Sequence, residues 1–215
     1  MEHLDNPTTV ERMLLDQAKR TRTPANGSIE LLPLCNMNCD MCYVRLSREE
    51  MEAKGRLIRK DEMVLHCAYV EYKGEAILFS APSETGKTTQ ADLWAKHRGS
   101  RTVNGDRALL GKTGGRWTAQ GWPVCGTSEV CHNESIPIRA VVMLSQAKEN
   151  RAERMTPGQA FPLLYSQITV NKWNMEDHVH TLDLIDSFLR EVPVYHLGCT
   201  ISEEAVECLA GVMTL

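Results

Sequence analysis

Ile77-Leu-Phe-Ser-Ala-Pro-Ser-Glu-Thr-Gly-Lys-Thr-Thr-Gln90 decides how this chain is read. Ala76 to Phe79 is a short apolar run of the kind that makes a buried strand. Thr88 to His97 has helical character and meets a stop signal at Gly99. The loop between them ends in Gly86-Lys87-Thr88. A strand that delivers a glycine-containing loop to a helix N-terminus brings unpaired N–H groups and the positive end of the helix dipole to one point, where phosphate is held. Ser83, Glu84, Thr85, Gly86, Lys87, Thr88 and Thr89 are therefore the candidate nucleotide-binding residues. Lys87 suits the β- and γ-phosphates, and the Thr88 hydroxyl suits a magnesium ion bridging them. The pattern GxxxxGK[ST] is complete only at its end, because Ala81 stands where its first glycine belongs.

The rest of the composition narrows the class. The 215 residues are 42% hydrophobic, enough for a real core in one or two domains. A net charge of −4 and a pI near 6.0 supply no basic field for nucleic acid or an anionic membrane. No apolar run reaches the roughly 18 residues of a membrane span. Glu2, Asp5 and Glu11 make the N-terminus too acidic for a signal peptide, so a cytoplasmic chain with reduced thiols is expected.

Residues 1–58 and 62–215 read as two units joined by the charged stretch from Arg56 to Asp61. In the first, a short strand from Ser28 to Leu34 runs into Cys35-Asn-Met-Asn-Cys-Asp-Met-Cys42, with Tyr43 behind it. Cys35, Cys39 and Cys42 have a spacing that lets one loop place three thiolates on three irons of a 4Fe-4S cluster. Over about Gly27 to Arg56 the chain resembles the start of the radical S-adenosylmethionine enzymes, which implies that cluster and S-adenosylmethionine. After the helix expected at Ser47 to Gly55 no second barrel strand follows. The segment therefore reads as a truncated portion of that barrel, or as a cluster-binding appendage.

The second unit opens with a strand from Met63 to Tyr72, a Lys73-Gly74 turn, and the strand feeding the phosphate loop. After the loop helix, Arg101 to Asp106 gives a short strand ending in a carboxylate, placed as a magnesium ligand would be. His66 on a strand, the loop, a helix and then Asn104-Gly105-Asp106 resemble, over about Met63 to Cys208, the kinase domain of the HPr kinase/phosphorylase group. That group is related to phosphoenolpyruvate carboxykinase. The resemblance implies an α/β fold with a mixed sheet around the phosphate loop, ATP and Mg²⁺ as cofactors, and a protein or peptide hydroxyl as phospho-acceptor. It makes His66 and Asp106 the catalytic positions, His66 as general base and Asp106 also as magnesium ligand. It leaves homo-oligomer formation, and ATP against GTP or pyrophosphate, open. Gly105 replaces the first of the group's paired aspartates. Ala81 and Glu84 stand where its loops carry glycine, and a side chain in a left-handed position costs roughly 1–2 kcal/mol. A half-buried structural role is the alternative for His66, and a turn role for Asp106.

Beyond Asp106, a hairpin turning at Lys112 to Gly115 is expected, then a glycine-punctuated loop in which Trp122 either stacks on a base or seals the core. Cys125, Cys131 and His132 fit no standard zinc spacing. Ile138 to Leu144 reads as an interior strand whose Arg139 reaches either a phosphate or an acidic neighbour. A helix capped by Thr156-Pro157 is expected to be kinked or interrupted at Pro162. Met175 to Arg190 reads as an amphipathic helix with His178 and His180 at the surface, Val192 to Leu197 as a final strand, and Ser202 as the cap of a last helix. Three functions follow from these readings. They are an ATP-dependent phosphotransferase, a non-catalytic nucleotide- or peptide-binding module, and an iron–sulfur protein.

Overall fold

The computed structural model describes residues 61–123, 128–170 and 175–214. The chain divides between Arg59 and Lys60, so every described residue lies in the second unit. Its strands are β1 (Met63–Tyr72), β2 (Glu75–Ser80), β3 (Arg101–Asn104), β4 (Arg107–Thr113), β5 (Arg116–Gln120), β6 (Ser135–Gln146), β7 (Arg151–Arg154) and β8 (Val194–Cys199). Its helices are α1 (Lys87–Arg98), α2 (Pro157–Gln167), α3 (Met175–Glu191) and α4 (Glu203–Met213). The fold is α/β with one mixed sheet.

Five strands close on themselves. β1 pairs with β2 and β4, β4 with β5, β5 with β6, and β6 returns to β2 in parallel. β6 then carries the sheet outward to β8, also parallel, and β7 closes the edge antiparallel to β8. Closure works because β1 and β6 each change partners along their length. Met63 to His66 pair with β4, whereas Cys67 to Tyr72 pair with β2. His66 therefore sits where β1 turns from one ladder to the next.

Both faces of this sheet are covered, which explains the nearly continuous apolar strands. Leu65, Cys67, Tyr69, Leu78, Val141 and Met143 join α2 and α3 residues such as Leu164, Ile185 and Phe188 in one core. Ala68, Val70, Ile77, Phe79, Val142 and Leu197 join Trp94 of α1 and Leu209 of α4 in the other.

The two expected hairpins form through two-residue turns with positive φ at both positions, Lys73-Gly74 (53° and 83°) and Gly114-Gly115 (59° and 81°). Of the two outcomes expected at Pro162, interruption does not occur, and the helix after Thr156 continues through it. The carbonyl that Pro162 leaves without its donor belongs to the exposed Gly158, where water can serve it. A Thr156–Gln159 capping box secures the start of that helix. Arg139 pairs with Glu75 at 2.9 Å rather than reaching toward a phosphate. Trp122 is buried. His178 is not a free surface group, since its Nε2 lies 2.8 Å from the Tyr165 hydroxyl. Strand β7 had no periodic signal in its Arg-Ala-Glu-Arg sequence and is defined by pairing alone. Among the described residues, no helix is long and apolar enough to cross a membrane.

Candidate functional site

The strand, loop and helix form as the sequence predicts, with the candidate phosphate loop between the last residue of β2 and the first of α1. Gly86 precedes the helix with φ 113°, a backbone state that a side chain would strain. The first N–H groups of α1 have no intrahelical acceptor, which is the property that draws an anion. Lys87 is 8% exposed and folds back along the loop, donating from Nζ to the carbonyls of Ala81 and Pro82 at 3.1 Å each. Burial holds its pKa below that of a free lysine, while the Asp106 carboxylate opposes that shift. Thr88 and Thr89 are half-buried in the first turn of α1, whereas Ser83 and Glu84 are exposed on the loop and Thr85 is half-buried.

The two loop substitutions differ in consequence. Ala81 is fully buried and its methyl packs in the core with Phe79, Ala91 and Trp94. It is not among the positive-φ residues, so the strain expected there is absent. Glu84 does take the left-handed conformation, at φ 64°. Replacing Glu84 by glycine is expected to stabilise the fold by about 1 kcal/mol, the left-handed penalty less the extra chain entropy of glycine. If the loop holds Mg-ATP, the same change should tighten that binding by about threefold, a small gain because an exposed carboxylate is largely screened. Denaturant midpoints and a titration of Glu84→Gly check this, and an unchanged midpoint would show that Glu84 is unstrained.

Beside the loop, the structure brings His66 and Asp106 together. His66 Nε2 lies 3.8 Å from Asp106 Oδ1, with the two side chains 23% and 24% exposed. Burial, first, and the Lys87 charge, second, push the His66 pKa below its ordinary 6.5; Arg107 adds to this, and Gln167 and Asp106 oppose it. Asp106 sits in a turn built by Asn104, a fully buried side chain whose Oδ1 accepts the N–H groups of Asp106 (2.8 Å) and Arg107 (3.0 Å). Asn104 Nδ2 donates to the Trp122 carbonyl at 2.9 Å. The Asp106 carbonyl accepts the Cys67 N–H at 3.0 Å, which ties this turn to the bend in β1.

Three neighbours of the pair escaped the sequence reading. Arg107, opposite His66 in the β1–β4 ladder, donates from Nε to Asp106 Oδ2 at 3.2 Å and from Nη1 to Thr169 Oγ1 at 3.2 Å. Gln167, at the end of α2, places Oε1 3.3 Å from His66 Nδ1. The Ser80 hydroxyl donates to the His66 carbonyl at 2.8 Å. Of these, only Arg107 carried a sequence signal, as the residue following the candidate carboxylate.

Thr88 and Asp106 offer the hard oxygen donors that magnesium takes. Arg107 occupies only Oδ2 of the Asp106 carboxylate. Among the described residues no cluster of three His, Cys, Asp or Glu forms a self-contained metal site. Cys35, Cys39, Cys42 and Cys125 lie outside the described residues.

A family model described as SynChlorMet cassette protein ScmC matches residues 33–213. No curated protein matches the chain. Among solved structures, the Hpr(Ser) kinase/phosphatase from Coxiella burnetii is similar at 10% identity and a TM-score of 0.39, over 71% of this chain and 92% of that one.

Proposed function

The chain belongs to the SynChlorMet cassette protein ScmC family, and from that premise and the geometry of its loop we propose that it is an ATP-dependent phosphotransferase acting on a protein or peptide hydroxyl. The observation that carries this reading is the His66–Asp106 pair, 3.8 Å apart and within electrostatic reach of Lys87, beside a loop that presents a helix N-terminus. A phosphate-binding loop alone would serve any nucleotide binder. A half-buried histidine paired with a carboxylate, both within electrostatic reach of its lysine, add what transfer to a hydroxyl requires.

In this reading Lys87 leaves the Ala81 and Pro82 carbonyls to meet the β- and γ-phosphates, and the loop N–H groups hold the remaining oxygens. Thr88 and Asp106 would hold Mg²⁺, which supplies charge neutralisation along the phosphate chain. His66, neutral at physiological pH, accepts the acceptor hydroxyl's proton as that oxygen attacks phosphorus. The bond from the γ-phosphorus to its bridging oxygen breaks, and ADP leaves. Arg107, held against Asp106, presents a cation beside the transferring group.

A second reading, nucleotide binding without turnover, is favoured by the strained Glu84 and by Gly105 in place of a second carboxylate. Incubation with γ-labelled ATP, Mg²⁺ and a hydroxyl-bearing peptide library separates the two. Label on peptide that is lost in His66→Ala supports transfer; micromolar binding with no transfer to any peptide supports the binding module.

The direction of the His66 shift makes a further prediction. Activity needs the neutral ring, and burial together with Lys87 favours that form. The acid limb of kcat/KM should therefore lie below pH 6.5, the ordinary histidine value. A limb above that value would show that His66 is not the base.

A further inference from the structure

The orientation of the His66 ring is set from outside the loop, through a short chain of side chains at the end of α2. The antiparallel bridge between Leu65 and Ile168, with the Thr169 N–H on the Val64 carbonyl at 2.9 Å, lays the chain after α2 along the N-terminal half of β1. In antiparallel register the residue before Ile168 falls beside the residue after Leu65, which puts Gln167 next to His66. On its other side His66 faces Arg107.

The donors and acceptors then assign themselves from one fixed end. The Ser166 hydroxyl donates to the Leu163 carbonyl at 2.7 Å, and a carbonyl can only accept. With its one proton used, Ser166 Oγ accepts from Gln167 Nε2 at 2.9 Å. This fixes which end of the Gln167 amide is nitrogen and leaves Oε1 as the atom 3.3 Å from His66 Nδ1. An amide oxygen only accepts, so the ring proton is on Nδ1. The lone pair of the neutral ring is then on Nε2, the nitrogen that faces Asp106 Oδ1 across 3.8 Å. That gap is too long for a direct hydrogen bond.

We propose that Ser166 and Gln167 are positioning residues that fix His66 in its Nδ1–H tautomer, so that Nε2 is the atom that takes the acceptor's proton. The tautomer assignment stands on the hydrogen bonds alone, and its catalytic consequence rests on the phosphotransferase reading. Without Gln167, the ring is free to rotate or to move its proton to Nε2, where it has no lone pair for the hydroxyl. The fold has little stake in the pair, since Ser166 is exposed and Gln167 only half-buried.

The test is imidazole ¹⁵N NMR of histidine-labelled protein at a pH where the ring is neutral, with His66→Gln to assign the signals. Wild-type His66 should show a protonated Nδ1 and a bare Nε2; in Gln167→Met that preference should be lost, and in Ser166→Ala weakened. With Mg-ATP and the hydroxyl-bearing peptide library, Gln167→Met should lower the turnover rate by about tenfold, part of the roughly 10²- to 10⁴-fold that a positioned base supplies, with KM for ATP unchanged. A wild-type signal from Nε2–H, or an unchanged tautomer in Gln167→Met, would overturn the proposal even if the protein transfers phosphate. An Nδ1–H signal lost in Gln167→Met, in a protein that binds no nucleotide, would uphold the relay and sink the phosphotransferase.

Discussion

Lys87→Ala is expected to weaken Mg-ATP binding by about 100-fold in a calorimetric titration while leaving the protein folded. A charge-assisted hydrogen bond contributes roughly 1.5–3 kcal/mol, and the upper end applies here because Lys87 is 8% exposed and its charge is poorly screened. About 2.7 kcal/mol corresponds to the 100-fold figure. Two features of the free protein shape the result. Lys87 bonds the Ala81 and Pro82 carbonyls before any ligand arrives, so part of its interaction with phosphate replaces contacts already made. Its removal also takes away one of the two leading influences that hold the His66 pKa down. The His66 titration, followed by proton NMR, should therefore move upward in Lys87→Ala. Micromolar binding that survives in the variant would place the nucleotide elsewhere. No binding in the wild type at millimolar Mg-ATP would sink the nucleotide-binding reading of the loop, because the roughly threefold gain expected of Glu84→Gly is too small to bring binding back.

What could be read from the sequence was what is local. The strand, the loop and the helix that holds Lys87 are contiguous, and both glycine turns announce themselves in two residues. The closed ring of strands is a matter of pairing between distant segments, such as β2 with β6, and no periodicity encodes that. The site divides the same way. Lys87, Thr88 and Asp106 follow one another along a familiar strand, loop and helix order, whereas Gln167 reaches His66 from 101 positions away at the end of a helix that showed only a cap and a proline. Asn104 had a readable signal, an Asn-Gly turn before the carboxylate, yet its burial beneath that turn depends on the Trp122 segment. Ala81 differs from the expectation because a motif position does not by itself dictate a backbone angle. Its φ is ordinary, and a methyl there fills the core under the loop.

The seat of α1 should be the point at which fold and site fail together. Trp94→Ala is expected to destabilise the protein by about 3–5 kcal/mol, the usual range for truncating a buried aromatic, against a total of roughly 5–15 kcal/mol for a domain. Trp94 is fully buried, meets Tyr72 edge-on at 5.6 Å and lies 6.1 Å from Phe79, the penultimate residue of β2. The other buried residues of α1 are Lys87, Gln90 and Ala91, so this indole is the large apolar anchor of the helix whose N-terminus is the proposed phosphate site. Its loss loosens α1 against β2, and the first-turn N–H groups lose their fixed direction. A drop in thermal midpoint and weaker Mg-ATP binding are therefore expected in the same variant, with Trp94→Phe intermediate in both. Saturating Mg-ATP should restore part of the midpoint, by about 2.7 kcal/mol at 100 times Kd, because ligand binds only the folded form. If the midpoint falls while Kd stays unchanged, the loop holds its shape without the helix seat. The affinity would then be set by Gly86 and Lys87 locally rather than by the packing of α1 on the sheet.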